Sequence, residues 1–335
     1  MAHRAAILAL KHRLTPTDRE PDAPVLATRL WGMDFSNPIG MAAGFDKDAE
    51  ALDGLIASGF GFAEAGTVTP LPQPGNPRPN LFRLPEDRAL INRLGFPSRG
   101  LDRFAQNFAN RERSGAIVGV NVGINTGTDD AIRDITAGIS RLANDASYLV
   151  INVSCPNTPG LCVWQEREHL RPLLDGAIAA RDAAHAETPM LVKISPDLDD
   201  EGLEAVVEIS LAAGIDGLIA ANTTTVRPAS LRGADAQQTG GLSGPPLAAP
   251  ATEALSKLYR LTGGKIPLIG CGGISSARDA YARIRAGATL VQIYTALVYG
   301  GPGLVREIKD GLAALLIADG FASVSDAVGV DCRQS

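Results

Sequence analysis

The sequence predicts an α/β protein, a (β/α)8 barrel carrying a short helical extension at its amino end, and three observations lead there. Eight short apolar or β-branched runs recur along the chain, each closing on Gly, Asn, Ser or Thr and followed by a stretch of helical periodicity. The runs are almost continuously apolar, as parallel strands covered on both faces are. The glycine-rich turn at residues 270–273 comes late in the chain. An open doubly wound sheet would place G-x-G-x-x-G after its first strand, whereas a barrel commonly builds its phosphate site after strands 7 and 8.

Taken in order, residues 37–43 (NPIGMAA) form the first strand, with helical spacing over 48–57 behind it. Residues 62–68 form the second, followed by a Pro- and Gly-rich connection, 70–100, and a helix over 101–113. The third pair is 117–122 with 129–144, and the fourth is 148–153 with 166–186. The fifth strand, 190–194, precedes a helix over 200–213 whose start carries Asp199, Asp200 and Glu201, acids that suit the positive end of a helix. The sixth strand, 217–221, is separated from a helix over 251–261 by a second long connection, 223–250. The seventh pair is 267–270 with 277–286, the eighth 290–294 with 304–319. Gly214 and Gly287 stand just past helix ends, where a left-handed residue closes the last turn. Long connections at the carboxyl ends of barrel strands are more often lids or binding surfaces than filler. The domain reading is an extension over 1–30 and a catalytic barrel over 31–335.

Composition excludes several classes of function. With Lys+Arg 31 against Asp+Glu 37 and a net charge of −6, there is no positive excess to neutralise a nucleic-acid backbone. The cysteines Cys155, Cys162, Cys271 and Cys332 show neither a CxxC pair nor metal-ligand spacing, which fits a reducing cytoplasm and predicts no metal site. No run of 18 apolar residues appears, and the first 15 residues lack the pattern of an export signal. That segment sets Ile7, Leu8, Leu10 and Leu14 among Arg4, Lys11, His12 and Arg13. It reads either as a basic amphipathic helix resting on anionic lipid at the inner face of the cell membrane or as a helix covering one end of the barrel.

In a barrel, polar residues at the carboxyl ends of the strands converge on one pocket. Here they are Lys47, Thr67, Asn121, Asn152, Ser154, Cys155, Asn157, Lys193, Asn222, Thr223 and Thr295, with Asp46 the one carboxylate and no histidine. The set lacks the acid pair of a glycosidase and the clustered ligands of a metallohydrolase. It suits a planar, amide-rich ligand, because a carboxamide donates and accepts at once along the edge of a pyrimidine-like ring or a flavin. Lys193 lies inside the apolar run LVKIS and must either join a salt bridge or face an electron-rich partner such as a reduced flavin. The turn Gly270-Cys271-Gly272-Gly273, followed by Ser275-Ser276, offers N–H groups and a helix start to a phosphate, or is a plain tight turn. In NVSCPNTPG, Cys155 stands between asparagines and rigid prolines, where a thiol reads either as a presented general base or nucleophile or as a buried, inert cysteine.

The segments NPIGMAAGFDK, EAGTVTPLPQPGNPRPNLFRL, INRLGF, NVSCPNTPGL, ANTT, TGGLSG and IGCGGI together resemble the dihydroorotate dehydrogenase family over roughly residues 25–310. The TVTPxPQPGN and FRLPED stretches resemble its class 2, quinone-reducing, membrane-associated branch. The resemblance implies an FMN barrel that oxidises dihydroorotate to orotate in pyrimidine (UMP) synthesis and passes electrons to quinone. It implies FMN contacts from Ala43, Gly44, Thr67, Asn121, Asn152, Lys193, Gly244, Gly273, Tyr294 and Thr295. The substrate side would be Lys47, Asn92, Arg93, Leu94, Gly95, Phe96, Asn152, Asn157, Asn222 and Thr223. Lys47 would meet the substrate carboxylate, Cys155 would take the proton from C5 as hydride leaves C6, and Arg83 and Tyr294 match positions lining a quinone tunnel.

The sequence departs from the class 2 pattern in places. Cys155 replaces a serine base and resembles the soluble class 1 enzymes; Thr126 replaces a lysine on the phosphate side; Ala221 replaces a threonine beside the flavin. Pro97 and Ser98 follow Phe96 where an asparagine is usual, and the amino end shows one helix where the class 2 pattern has a pair. These changes keep two rivals open: a flavin enzyme of the same fold acting on a related cyclic amide or with a soluble acceptor, and a non-catalytic FMN or orotate binder.

Overall fold

The structure, a computed structural model, describes residues 2–112, 115–154, 157 and 162–333. Its strands are β1 (Thr28–Leu30), β2 (Met33–Phe35), β3 (Ile39–Met41), β4 (Phe62–Val68), β5 (Leu81–Leu84), β6 (Ala89–Asn92) and β7 (Val118–Val122), then β8 (Tyr148–Asn152), β9 (Met190–Ile194), β10 (Gly217–Ala220), β11 (Gly241–Ser243), β12 (Leu268–Cys271) and β13 (Leu290–Ile293). The helices are α1 (Ala2–Lys11), α2 (Leu52–Ala57), α3 (Leu101–Ala109), α4 (Ala131–Leu142) and α5 (Arg167–Ala183), then α6 (Asp200–Ala213), α7 (Ala248–Thr262), α8 (Ala277–Arg285), α9 (Thr295–Gly300) and α10 (Leu304–Ala318).

Strands β3, β4, β7, β8, β9, β10, β12 and β13 close in that order into a parallel barrel, each matching one of the eight expected runs. Helices pack around it and bury their apolar stripes against the outward side chains of the strands in one continuous core. The antiparallel hairpin β1–β2 plugs the amino-terminal end: Phe35 meets Phe62 edge to face at 5.6 Å, and the Trp31 indole N–H donates to the Asp216 carbonyl. Gly40 makes room for this plug, because a Cβ there would stand 2.2 Å from the Phe62 ring.

The two connections expected to be loops contain a sheet. Strand β6 pairs antiparallel with both β5 and β11, with Ile91 opposite Phe82 on one side and Leu242 on the other. Phe82, Leu84, Ala89, Ile91 and Leu242 form a small core of their own under this flap. The α2 helix starts later than expected, because Asp46 accepts from the backbone N–H of Glu50 and Ala51 and so holds a turn where the spacing predicts helix. Helix α7 starts earlier than expected and contains Pro250 in its first turn, where a proline forfeits no intrahelical bond. Helix α1 lies on α2 so closely that the Leu10 carbonyl occupies the space a Cβ on Gly54 would need. Ile7 and Leu10 are buried in this contact and Leu8 stays exposed.

Candidate active site

At the carboxyl end of the barrel, under the β5–β6–β11 flap, lies a cleft of about 1330 Å³ including its open mouth. Of the residues expected at the cofactor, Ala43, Gly44, Thr67, Asn152, Lys193, Gly244, Gly273, Tyr294 and Thr295 line it. Of those expected at the substrate, Lys47, Asn92, Leu94, Gly95, Phe96, Asn157, Asn222 and Thr223 do so as well. Three expected residues stand elsewhere. Asn121 is fully buried one layer below, donating to Glu64 and accepting from Thr67 and Asn152. Arg93 turns away, its guanidinium over the Phe82 ring and bonded to Gln238 and Thr239. Arg83 is exposed on β5, close enough to Tyr299 for its charge to be felt there. Cys155 lies outside the described residues.

Lys193 is 4% exposed, and among the described residues its ammonium has no hydrogen bond or ion pair. The salt bridge considered for it is therefore absent among the described residues. An unpaired buried charge is costly, so this ammonium calls for an electron-rich ligand in the cleft. Lys47 bonds the Gly44 carbonyl, and burial lowers its pKa to about 8 against the pull of Asp48 and Asp46. Burial likewise raises the Asp46 carboxyl to about 6.

The amides form a row. Asn152 donates to Asn121 and Thr67, Asn222 donates to Ser154 at 3.1 Å, and Asn157 donates to Asn92 at 3.2 Å. Beyond the neighbouring strand end, after β12, Gly272 and Gly273 adopt φ of +94° and +74°, and a Cβ on Gly273 would stand 2.3 Å from the Ala248 backbone. Arg283 underpins this turn, donating to the Cys271 and Gly272 carbonyls, and burial lowers its guanidinium to about 10. The Ser275 N–H and hydroxyl are both taken by Asp279, and the Ser276 hydroxyl caps α8, so what this turn can offer an anion is the Gly272-Gly273 backbone rather than the serines.

These features match what a flavin mononucleotide needs: an unbranched turn for phosphate, carboxamides for the ring edge and a positive charge for the reduced ring. Thr126 does not line the cleft, and its N–H bonds Gln73; Ala221 and Pro97 do line it. Sequence reasoning missed His3, which α1 sets 5.3 Å from the Phe45 ring, itself 5.6 Å from Tyr294. Burial and the Lys47 charge lower the His3 imidazole to about 4. It also missed Glu64, Gln292 and Arg283. Glu64 and Gln292 carry the signal that Lys193 carries, a polar side chain inside an apolar strand.

The sequence model of the dihydroorotate dehydrogenase family matches residues 25–316, most of the chain. The chain belongs to the dihydroorotate dehydrogenase family. It is 57% identical to the dihydroorotate dehydrogenase (quinone) of Azorhizobium caulinodans, covering 99% of this chain and 95% of that protein. Identity to the protein of the same name in Rhodospirillum rubrum is 55%, covering 99% and 91%. The mitochondrial protein of that name in Oryza sativa is 49% identical, covering 99% of this chain and 77% of its own length. A solved structure of DHODH from Eimeria tenella in complex with ferulenol superposes with a TM-score of 0.94 at 42% identity, covering 99% of this chain and 95% of that one. Membership of this family agrees with the closed parallel barrel and with the resemblance read from the motifs.

Proposed function

We propose that this chain oxidises dihydroorotate to orotate with bound FMN and delivers the electrons to quinone. The observation that carries the reading is the uncompensated Lys193 ammonium facing a cleft that is also lined by an unbranched glycine turn and by several carboxamides. FMN supplies a ring that accepts a hydride equivalent from carbon and releases electrons singly or in pairs. Gly244, Gly273, Tyr294 and Thr295 are the candidates to hold its phosphate and ribityl side, and Thr67, Asn121, Asn152 and Lys193 to hold or support its ring. Lys47 anchors the substrate carboxylate, and Asn92, Asn157, Asn222 and Thr223 read the amide edge of the substrate ring. Cys155 takes the proton from the substrate's C5; a thiol, with a reference pKa of about 8.5, does this far better near neutral pH than an unassisted hydroxyl. The β5–β6–β11 flap excludes water from the reacting face.

Quinone is lipid-soluble, and we assign its approach to the rim where α1 stands. There His3, Phe45 and Tyr294 form a continuous aromatic contact, and Leu8 and Leu14 present apolar surface beside Arg4, Lys11 and Arg13. No helix among the described residues is long and apolar enough to cross a membrane, so the contact proposed is peripheral. The test is turnover of dihydroorotate with a short-chain ubiquinone, then with fumarate and NAD in its place. Activity with ubiquinone alone supports the assignment, and equal or better rates with a soluble acceptor overturn the quinone step. Co-sedimentation with anionic lipid vesicles, reduced on replacing Leu8 and Leu14 by Ser, tests the rim; no binding to vesicles refutes it.

A further inference from the structure

Inside the barrel, below the cleft, Glu64 is fully buried on β4 and reaches residues from three other strands. Its carboxylate accepts from Asn121 Nδ2 at 2.8 Å and from Gln292 Nε2 at 2.6 Å, with the Tyr148 hydroxyl at 3.4 Å. A carboxylate only accepts, whereas a carboxamide donates from one end and accepts at the other. With its nitrogen committed to Glu64, Asn121 presents its oxygen upward, where Thr67 Oγ1 donates at 2.5 Å and Asn152 Nδ2 at 3.1 Å. Asn152 then presents its own oxygen to Ser154 and to Asn222 Nδ2, and the Asn222 oxygen accepts from the Thr223 N–H at 2.8 Å. Three amides in series thus run in one sense, nitrogen toward Glu64 and oxygen away.

We infer that Glu64 is a positioning residue: by accepting from Asn121 it sets the donor and acceptor polarity of the Asn121–Asn152–Asn222 row, and with it the hydrogen-bond pattern the cleft offers to a ring edge. This rests on the reading of the cleft as the dihydroorotate and orotate site. Amide orientation follows the hydrogen-bond network around it. Without an acceptor below, either orientation of Asn121 leaves one polar end unpaired, and the row above loses its fixed sense. A flipped Asn152 or Asn222 would present a donor where the ligand also donates.

Gln292 sharpens the test, because its Oε1 is buried without a partner among the described residues. In Glu64→Gln the introduced amide nitrogen can donate to that oxygen once the Gln292 amide rotates, leaving the introduced amide oxygen to accept from Asn121. Glu64→Met has similar length and no acceptor. The measurement is the orotate dissociation constant by calorimetry on wild-type, Glu64→Gln and Glu64→Met holoprotein, with melting and flavin content as folding checks. The expected result is a constant within about threefold of wild type for Glu64→Gln and raised at least about tenfold for Glu64→Met, the scale of one hydrogen bond lost in a dry site. Unchanged affinity in folded Glu64→Met overturns the inference. So does a tenfold loss in Glu64→Gln, which would assign the effect to charge, and that arm decides the matter even if Glu64→Met fails to fold. Wild-type protein that binds no orotate would overturn the functional reading itself and this inference with it.

Discussion

As the proposed anchor of the substrate carboxylate, Lys47 would tie substrate binding to pH, and its surroundings set the size of the effect. Burial is the largest influence on it and lowers its pKa from 10.5 to about 8. In the free protein the ammonium is therefore charged below pH 8 and loses its charge above it. An anionic ligand binds the charged form, and its carboxylate then favours that charge, so the bound protein holds the proton to higher pH. The orotate dissociation constant should be flat below pH 7 and rise about tenfold from pH 7 to pH 9, equivalent to about 1.4 kcal/mol. Lys47→Met should weaken binding by a factor of about 10 to 100, the range of a charge-assisted hydrogen bond, and should flatten the profile. The assay is an orotate titration at each pH, followed calorimetrically. A constant affinity across that range in wild type, or a Lys47→Met protein with the wild-type pH slope, would refute the assignment of the carboxylate to Lys47.

Iodoacetamide should abolish turnover and orotate should protect; Cys155→Ser should slow flavin reduction at pH 7 and recover part of the rate at high pH. Alkylation of Cys155 without loss of activity would remove it from the proton step. Gly273→Ala meets both a φ of +74° and the Ala248 backbone at 2.3 Å, so the purified protein should carry less flavin and melt lower than wild type. Normal flavin content would place the phosphate elsewhere. Lys309, 3% exposed, bonds Asp18 at 2.7 Å and Asp22 at 2.6 Å and fastens the segment after α1 to α10. Lys309→Met leaves both acids without this partner and should cost about 3–5 kcal/mol in urea unfolding, against no measurable loss if the contact is solvated.

The barrel was legible in the sequence because buried parallel strands are apolar almost throughout, so β4, β7, β8 and β9 announce themselves without reference to their partners. The flap was not. Strands β5, β6 and β11 are three or four residues each, too short for a period to stand out, and β11 pairs with a strand about 150 residues earlier. The alternation was nonetheless present in Leu81-Phe82-Arg83-Leu84, exposed and buried by turns. Residues expected at strand ends line the cleft because a barrel converges them, and Arg93 points away from it because a motif fixes a position along the chain and not the direction of a side chain. Asn121 was identified as polar and inward, but its depth depends on the Glu64 beneath it, which lies mid-strand among alanines. Arg283, at the foot of the glycine turn, reads on the helix as an ordinary surface arginine until Gly270, whose missing Cβ leaves room for its stem, is seen against it.

The central claim is that this cleft passes electrons from dihydroorotate to bound FMN, and one measurement addresses it directly. The protein is purified without added flavin and mixed with dihydroorotate in the absence of oxygen while the visible flavin band is followed. The expected result is a yellow protein whose band bleaches on mixing, with orotate recovered in proportion to the flavin reduced. A yellow protein whose band persists would contradict the substrate assignment, and a colourless one that takes up no FMN would contradict the cofactor.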